Sequence, residues 1–139
     1  MNYLVKTHKQ GMIYKGPHTF VLNRGKNTGK LLAKPCPNCW VVIADSETTL
    51  DRLEVIIDAL HTTKRLRPSL IGSVIEYIRI GDFRKTLDLY VRVIGWGDEY
   101  TAQLENIRRA KMLLHKYNRA KSDLQMAILI HQIKLLKGR

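Results

Sequence analysis

The first 44 residues contain no aspartate and no glutamate, against seven basic side chains: Lys6, Lys9, Lys15, Arg24, Lys26, Lys30 and Lys34. A stretch without carboxylates cannot neutralise itself, so its field has one sign. The 139-residue chain has only two cysteines, Cys36 and Cys39, too close in sequence to staple distant parts of a fold, which fits a reducing compartment. No apolar run approaches the roughly 18 residues of a membrane span. The opening MNYLVKTHKQ lacks the apolar core of a secretory signal. A cytoplasmic location with no membrane partner is therefore expected. Repeats, low-complexity tracts and Pro/Gly/Ser linkers are missing, leaving one domain with a helical tail. Paired carboxylates, a Ser–His–Asp order and a histidine cluster are missing too. The five histidines are scattered, so no enzyme is expected.

What is present is positive charge, +12 in all, unevenly placed. Residues 45–58 carry Asp45, Glu47, Asp51, Glu54 and Asp58 against Arg52 alone, and the rest of the chain is again basic. Such a field attracts polyanions, nucleic acid first. Apolar residues make up 45 %, enough to bury a core.

The periodicity predicts an α+β fold: a small mixed sheet with packed helices and a C-terminal helical hairpin. HTFVLN (18–23) and CWVVIA (39–44) are short, β-branched and aromatic, and read as strands. Ser46 is a good N-cap for a helix over 46–63, whose Leu50, Leu53, Ile56, Ile57 and Leu60 share one face. VIEYIRI (74–80) alternates with apolar residues on both faces and reads as a third strand. Asp82 is placed to cap a second helix, with Phe83, Leu87, Tyr90, Val91 and Ile94 as its stripe. Gly95-Trp96-Gly97 marks a break. The expected domains are a basic α+β domain, 1–97, and a helical hairpin, 98–139, packed on it or forming an interface. Ser122 and Gln125 make a capping-box pattern that splits the tail into 98–118 and 122–137, with one long helix as the alternative. The run Met126 to Ile130 is apolar all round and needs a partner, either the domain or a second subunit.

Between the first two strands lies a loop of about fifteen residues, long for a hairpin. Gly25 and Gly29 are separated by three residues, not four, Leu31 stands where a magnesium-binding hydroxyl would be, and prolines follow instead of a helix. The loop is therefore no nucleotide-hydrolysis site. It does set Arg24, Lys26, Asn27 and Lys30 among glycines that permit close backbone approach, a composition suited to phosphates and base edges. Lys34 ends the same contact loop, and Arg65 and Arg67 are expected as flanking phosphate contacts. Tyr3 and Tyr14 are candidates for stacking on bases, whereas Phe20 and Trp40 belong inside strands.

Cys36-Pro37-Asn38-Cys39 has zinc-knuckle spacing, but a closed tetrahedral site needs four ligands and no second pair exists. His18 is the first candidate for a third ligand and His8 the next. Zinc is the one cofactor to consider; structural thiols in a tight turn are the plainer reading. A redox pair would begin a helix, and Trp40-Val41-Val42-Ile43 follow instead.

FxLNxGxN[ST]GK at Phe20 to Lys30, PCPNC and an aromatic at Pro35 to Trp40, and GSVIx[YF]IRIxD at Gly72 to Asp82 together resemble a family of small uncharacterised bacterial domains. The order of parts is also similar to the target recognition domains of type I restriction specificity subunits. That similarity implies a strand pair, a helix, a Gly-Ser turn into a strand that ends near DNA, and a long helical spacer. The expected function is non-catalytic nucleic-acid binding, with DNA favoured, plus a homodimer through the C-terminal helices. The alternative is a protein-interaction or structural module whose tail mediates oligomerisation.

Overall fold

The computed structural model describes residues 2–94 and 98–137, with the backbone alone at 98 and 99. Strands β1 (Tyr3–Thr7), β2 (His18–Leu22), β3 (Leu31–Leu32) and β4 (Cys39–Ala44) form one sheet in the order β1-β4-β2-β3. β4 is the most apolar and most buried strand, and it lies between β1 and β2. It pairs antiparallel with β1 and β2, and β3 pairs antiparallel with β2. The fold is α+β as expected, but the sheet is antiparallel throughout where a mixed one was expected. Periodicity assigns nothing to residues 3–7. β1 forms there because its backbone completes the free edge of β4, with Val5 opposite Val42.

Alternation along the strands divides the sheet into two faces. Val5, Val21, Trp40 and Val42 point into the main core, covered by α1 (Glu47–Thr62) and α2 (Ile80–Ile94). β1 and β2 both run antiparallel to β4, so their connection, 8–17, must cross the other face. Tyr14 lands there against His8, His18 and Phe20, with ring centroids 5.7, 5.7 and 6.2 Å away. This position, half-buried, takes Tyr14 out of the pool of free stacking residues. Tyr3 leaves it as well: its hydroxyl donates to Asp88, and burial together with that carboxylate raises its pKa.

α1 starts where expected. Ser46 Oγ accepts from the Thr49 amide at 3.2 Å, and Leu50, Leu53, Ile56, Ile57 and Leu60 are buried. α2 begins at Ile80, so Asp82 sits in its first turn instead of capping it, and Phe83, Leu87 and Val91 form the buried stripe. Residues 74–80 are not a strand. Ile71 and Tyr77 exchange amide–carbonyl hydrogen bonds of 2.9 Å around a turn at Gly72 (φ +105°), and Val74 is 92 % exposed at its tip. The apolar alternation has no sheet to serve, because the backbone bonds of this segment go to Ile71 and to the loop after β2.

The chain divides into two compact units, Met1–Tyr100 and Thr101–Arg139. The expected hairpin in the tail is replaced by one 40-residue helix, α3 (Asp98–Lys137). No glycine or proline interrupts it, and Asn118 and Ser122 cost too little helix propensity to break it. The Met126–Ile130 run is exposed along it, not buried; Met126 is 58 % accessible. The Gly95-Trp96-Gly97 break lies outside the described residues. Among the described residues no helix is long and apolar enough to cross a membrane.

Candidate nucleic-acid interface

The long loop is shorter than it looked, because Leu31 and Leu32 pair with Val21 and Phe20 as β3. A compact loop remains at 23–30. The Leu22 amide donates to Lys30 O at 2.9 Å and the Gly29 amide to Leu22 O at 2.7 Å, closing its base. Inside, Gly25 O accepts from the Thr28 amide at 3.0 Å and from the Thr28 hydroxyl at 2.6 Å. Gly25 and Gly29 have φ near +93° and +92°, the left-handed geometry that glycine adopts without penalty. A side chain at Gly29 would also meet Leu66 Cδ1 at 2.3 Å, since the loop packs against the end of α1. There Thr28 O lies 3.3 Å from His61 Nδ1. On the opposite side the Gly25 amide donates to Glu76 O at 2.7 Å and Arg24 bridges to Tyr77. The loop is thus clamped between the last turn of α1 and the 71–77 turn.

The exit from α1 is a Schellman turn. The Lys64 amide donates to His61 O at 3.1 Å and the Arg65 amide to Leu60 O at 2.9 Å. The residue at its left-handed corner is Lys64, φ +59°, where glycine is usual. Left-handed geometry costs an L-residue about 1–2 kcal/mol. Lys64→Gly should therefore raise unfolding stability by about 1 kcal/mol, read from a urea midpoint, while weakening any ligand that the lysine holds.

Between the glycine loop and this turn lies a cleft of about 410 Å³. Lys26, Asn27, Lys64 and Arg67 line it, with His61 and one carboxylate, Glu76. Lys64 also borders a second hollow of about 510 Å³, which it shares with Arg65, Ser69, Leu89 and Tyr90. Of the residues picked from sequence, Lys26, Asn27 and Arg67 meet in the first cleft and Arg65 lines the second. Arg24 bridges to Tyr77, and Arg24, Lys30 and Lys34 are exposed without lining either hollow. Among the described residues, none of these lysines and arginines, Lys64 included, is paired with a carboxylate. The sequence reading missed Lys64, His61, Glu76 and the 39 % exposed ring of Tyr77. The available signal was the position of Lys64 just past the apolar repeat of α1, next to the two arginines already selected.

The cysteine turn sits behind this loop. Cys39 is fully buried, its Sγ donates to Cys36 O at 2.9 Å, and the Cys36 amide approaches that sulfur at 3.4 Å. Burial raises the Cys39 pKa, which keeps it a thiol. The Asn23 amide donates to Asn38 O at 3.0 Å, tying the turn to the start of the glycine loop. His18 stands opposite Ile43 while Leu22 stands opposite Cys39, so His18 lies about 13 Å along the strand from the thiols. Its Nδ1 faces Gly16 O at 2.9 Å. His8 is nearer by backbone, its amide donating to Cys39 O at 3.0 Å, but its ring is taken up by Tyr14 and Phe20. Among the described residues no three His, Cys, Asp or Glu side chains gather as metal ligands. Hydrogen bonds between Cys36 and Cys39 close the turn at 36–39; the cleft offers cations, amide donors and a hydroxyl, the groups that bind phosphate.

A family of unknown function, DUF6943, matches residues 5–133 of the chain. No curated protein and no solved structure matches it.

Proposed function

We propose that this chain, which belongs to that family of unknown function, is a non-catalytic nucleic-acid-binding protein that holds DNA along the glycine-loop cleft. The observation that carries the reading is the meeting in one cleft of Lys26, Lys64 and Arg67, none of them paired with a carboxylate among the described residues. Lys26 is brought from a segment far in sequence from Lys64 and Arg67, and Lys64 occupies a backbone position that favours glycine.

The electrostatics favour a polyanion over a small anion. The carbonyl end of α1 carries roughly half a negative charge. With Glu76, it tempers the field inside the cleft, so a single phosphate gains little there. A strand of phosphates meets Lys26, Lys64 and Arg67 together with exposed Arg24, Lys30 and Arg65, and releases a counterion at each contact. Lys34 is exposed as well but lines neither hollow. Tyr77, beside Arg24, offers a ring to a base or sugar. The reading needs no metal, and the cysteines serve it by fixing the loop's anchor. The order of parts shared with restriction target recognition domains supports DNA in two of its elements, the strand pair followed by a helix and the long helix; its third, the strand after Gly72-Ser73, is a turn here.

The test is a titration of a labelled 20-base-pair duplex into the full chain at several salt concentrations. Four to six phosphate contacts should give a slope of about −4 to −5 log units of affinity per log unit of salt. A slope near zero, or no binding at low salt, ends the reading. A second role for the chain, self-association, is supported by the exposed apolar residues of α3, and it accounts for that helix where nucleic acid does not.

A further inference from the structure

An isolated helix draws little stability from its backbone alone, and α3 exposes large apolar residues along most of its length. Six of them share one stripe, whereas Met112, Met126, Leu129, Ile130 and Ile133 lie off it. Tyr100, Ile107, Leu114 and Ile128 recur at one heptad position, and Tyr117 and Leu124 at the position three residues on, where Ala110 also falls. These large side chains are between 41 % and 66 % exposed. Arg108, Arg109, Lys116, Arg119 and Asp123 fall on the opposite face. This is the pattern of a coiled-coil seam. Its polar members are Gln103, Lys121 and His131.

From the seam we infer that α3 pairs with α3 of a second copy, and that the two helices run antiparallel with their midpoint between Leu114 and Tyr117. This deepens the self-association reading and is independent of the nucleic-acid one. In a parallel pair each seam residue meets its own counterpart, so Lys121 would be pressed against Lys121 of the other chain. The antiparallel register sets Leu114 against Tyr117, Ala110 against Lys121, Ile107 against Leu124, Gln103 against Ile128 and Tyr100 against His131. Every layer from Tyr100 to His131 is then filled, about 46 Å of helix. The small Ala110 leaves room for the Lys121 stem to lie along the seam while its ammonium reaches water. The flanking positions, among them Leu104, Leu113, Asn118, Ala120 and Gln125, place no two like charges together. One seam therefore serves both chains, as a two-fold interface requires.

The experiment is sedimentation equilibrium of the full chain, with circular dichroism to follow helix content. The wild type should sediment as two chains. Leu114→Asp should weaken association by about 30-fold or more. Ala110→Glu should leave the dimer intact or tighter, because the new carboxylate faces Lys121 of the other copy, and adding Lys121→Glu to it should split the dimer. A monomeric wild type overturns self-association altogether. A wild-type dimer that Ala110→Glu alone splits overturns the antiparallel register, since only a parallel pair sets those carboxylates against each other.

Discussion

Changing Lys26, Lys64 and Arg67 together to Ala should lower affinity for duplex DNA about 100-fold near physiological salt and flatten the salt dependence by about 2.7 log units per log unit of salt. Both figures follow from one cause. Each phosphate neutralised contributes about 0.9 to the slope, and extrapolating that to 0.15 M gives roughly a factor of five per contact. Alanine at position 64 keeps the same left-handed cost as lysine, so the fold should hold and the loss is a loss of charge. Lys34→Ala is the single-charge control: it removes one exposed cation that lines neither hollow, and its effect should stay within about two-fold. Because the control removes one charge and the triple variant three, a control loss of one third of the triple variant's on a logarithmic scale would mean that net charge, and not the cleft, does the binding. A triple variant that binds like wild type would remove the cleft from any account of this protein. Lys64→Gly then separates two properties of one residue, because it should bind DNA less well and unfold later.

Local signals identified the parts whose causes are local. Ser46 and the spacing of Leu50, Leu53, Ile56, Ile57 and Leu60 sufficed for α1, and β-branched runs for β2 and β4. The 74–80 alternation misled because alternation reports which side chains share a side, not whether a neighbouring strand exists. Ile71 and the loop after β2 take the backbone bonds that a sheet would have used. Gly72 held the corrective signal: its φ is +105°, and a side chain there would meet Ile75 O at 2.4 Å, which marks a turn and not a strand entry. β1 was hidden because its partner lies 37 residues away at Val42, with one buried side chain to advertise it. In α3 a capping pattern was legible but not decisive, since Ser122 and Gln125 sit equally well on one face of a continuous helix. At the site, arginines and lysines were visible as composition. Their convergence was not, because it depends on Gly29 closing onto Leu66 and on a Schellman turn built without glycine.

The largest effect on stability is expected from Phe83→Ala, about 3–5 kcal/mol of destabilisation. Phe83 is fully buried on α2, and its ring stacks on Trp40 of β4 with centroids 4.6 Å apart and planes 27° from parallel. Truncation removes the ring from the main core and leaves a void beneath Trp40 that Leu87, itself fully buried, cannot move to fill without leaving its own contacts. A domain of this size has about 5–15 kcal/mol in total, so the variant should lie near the edge of folding at 37 °C. Val93→Ala, 64 % exposed on the same helix, should change stability by less than about 0.5 kcal/mol. Urea unfolding followed by circular dichroism reads both, and the Phe83→Ala midpoint should fall with the slope unchanged. Similar costs in the two variants would contradict the packing of α2 on the sheet. The damage should also reach the cleft. Trp40 pairs with Val21, two residues before Asn23, and its neighbour Cys39 anchors the cysteine turn to which Asn23 is tied. Amide exchange in Phe83→Ala should therefore accelerate at Leu22, Asn23 and Gly29 before it does so at Ala44, loosening the glycine loop from behind while every cation it presents is still in the chain.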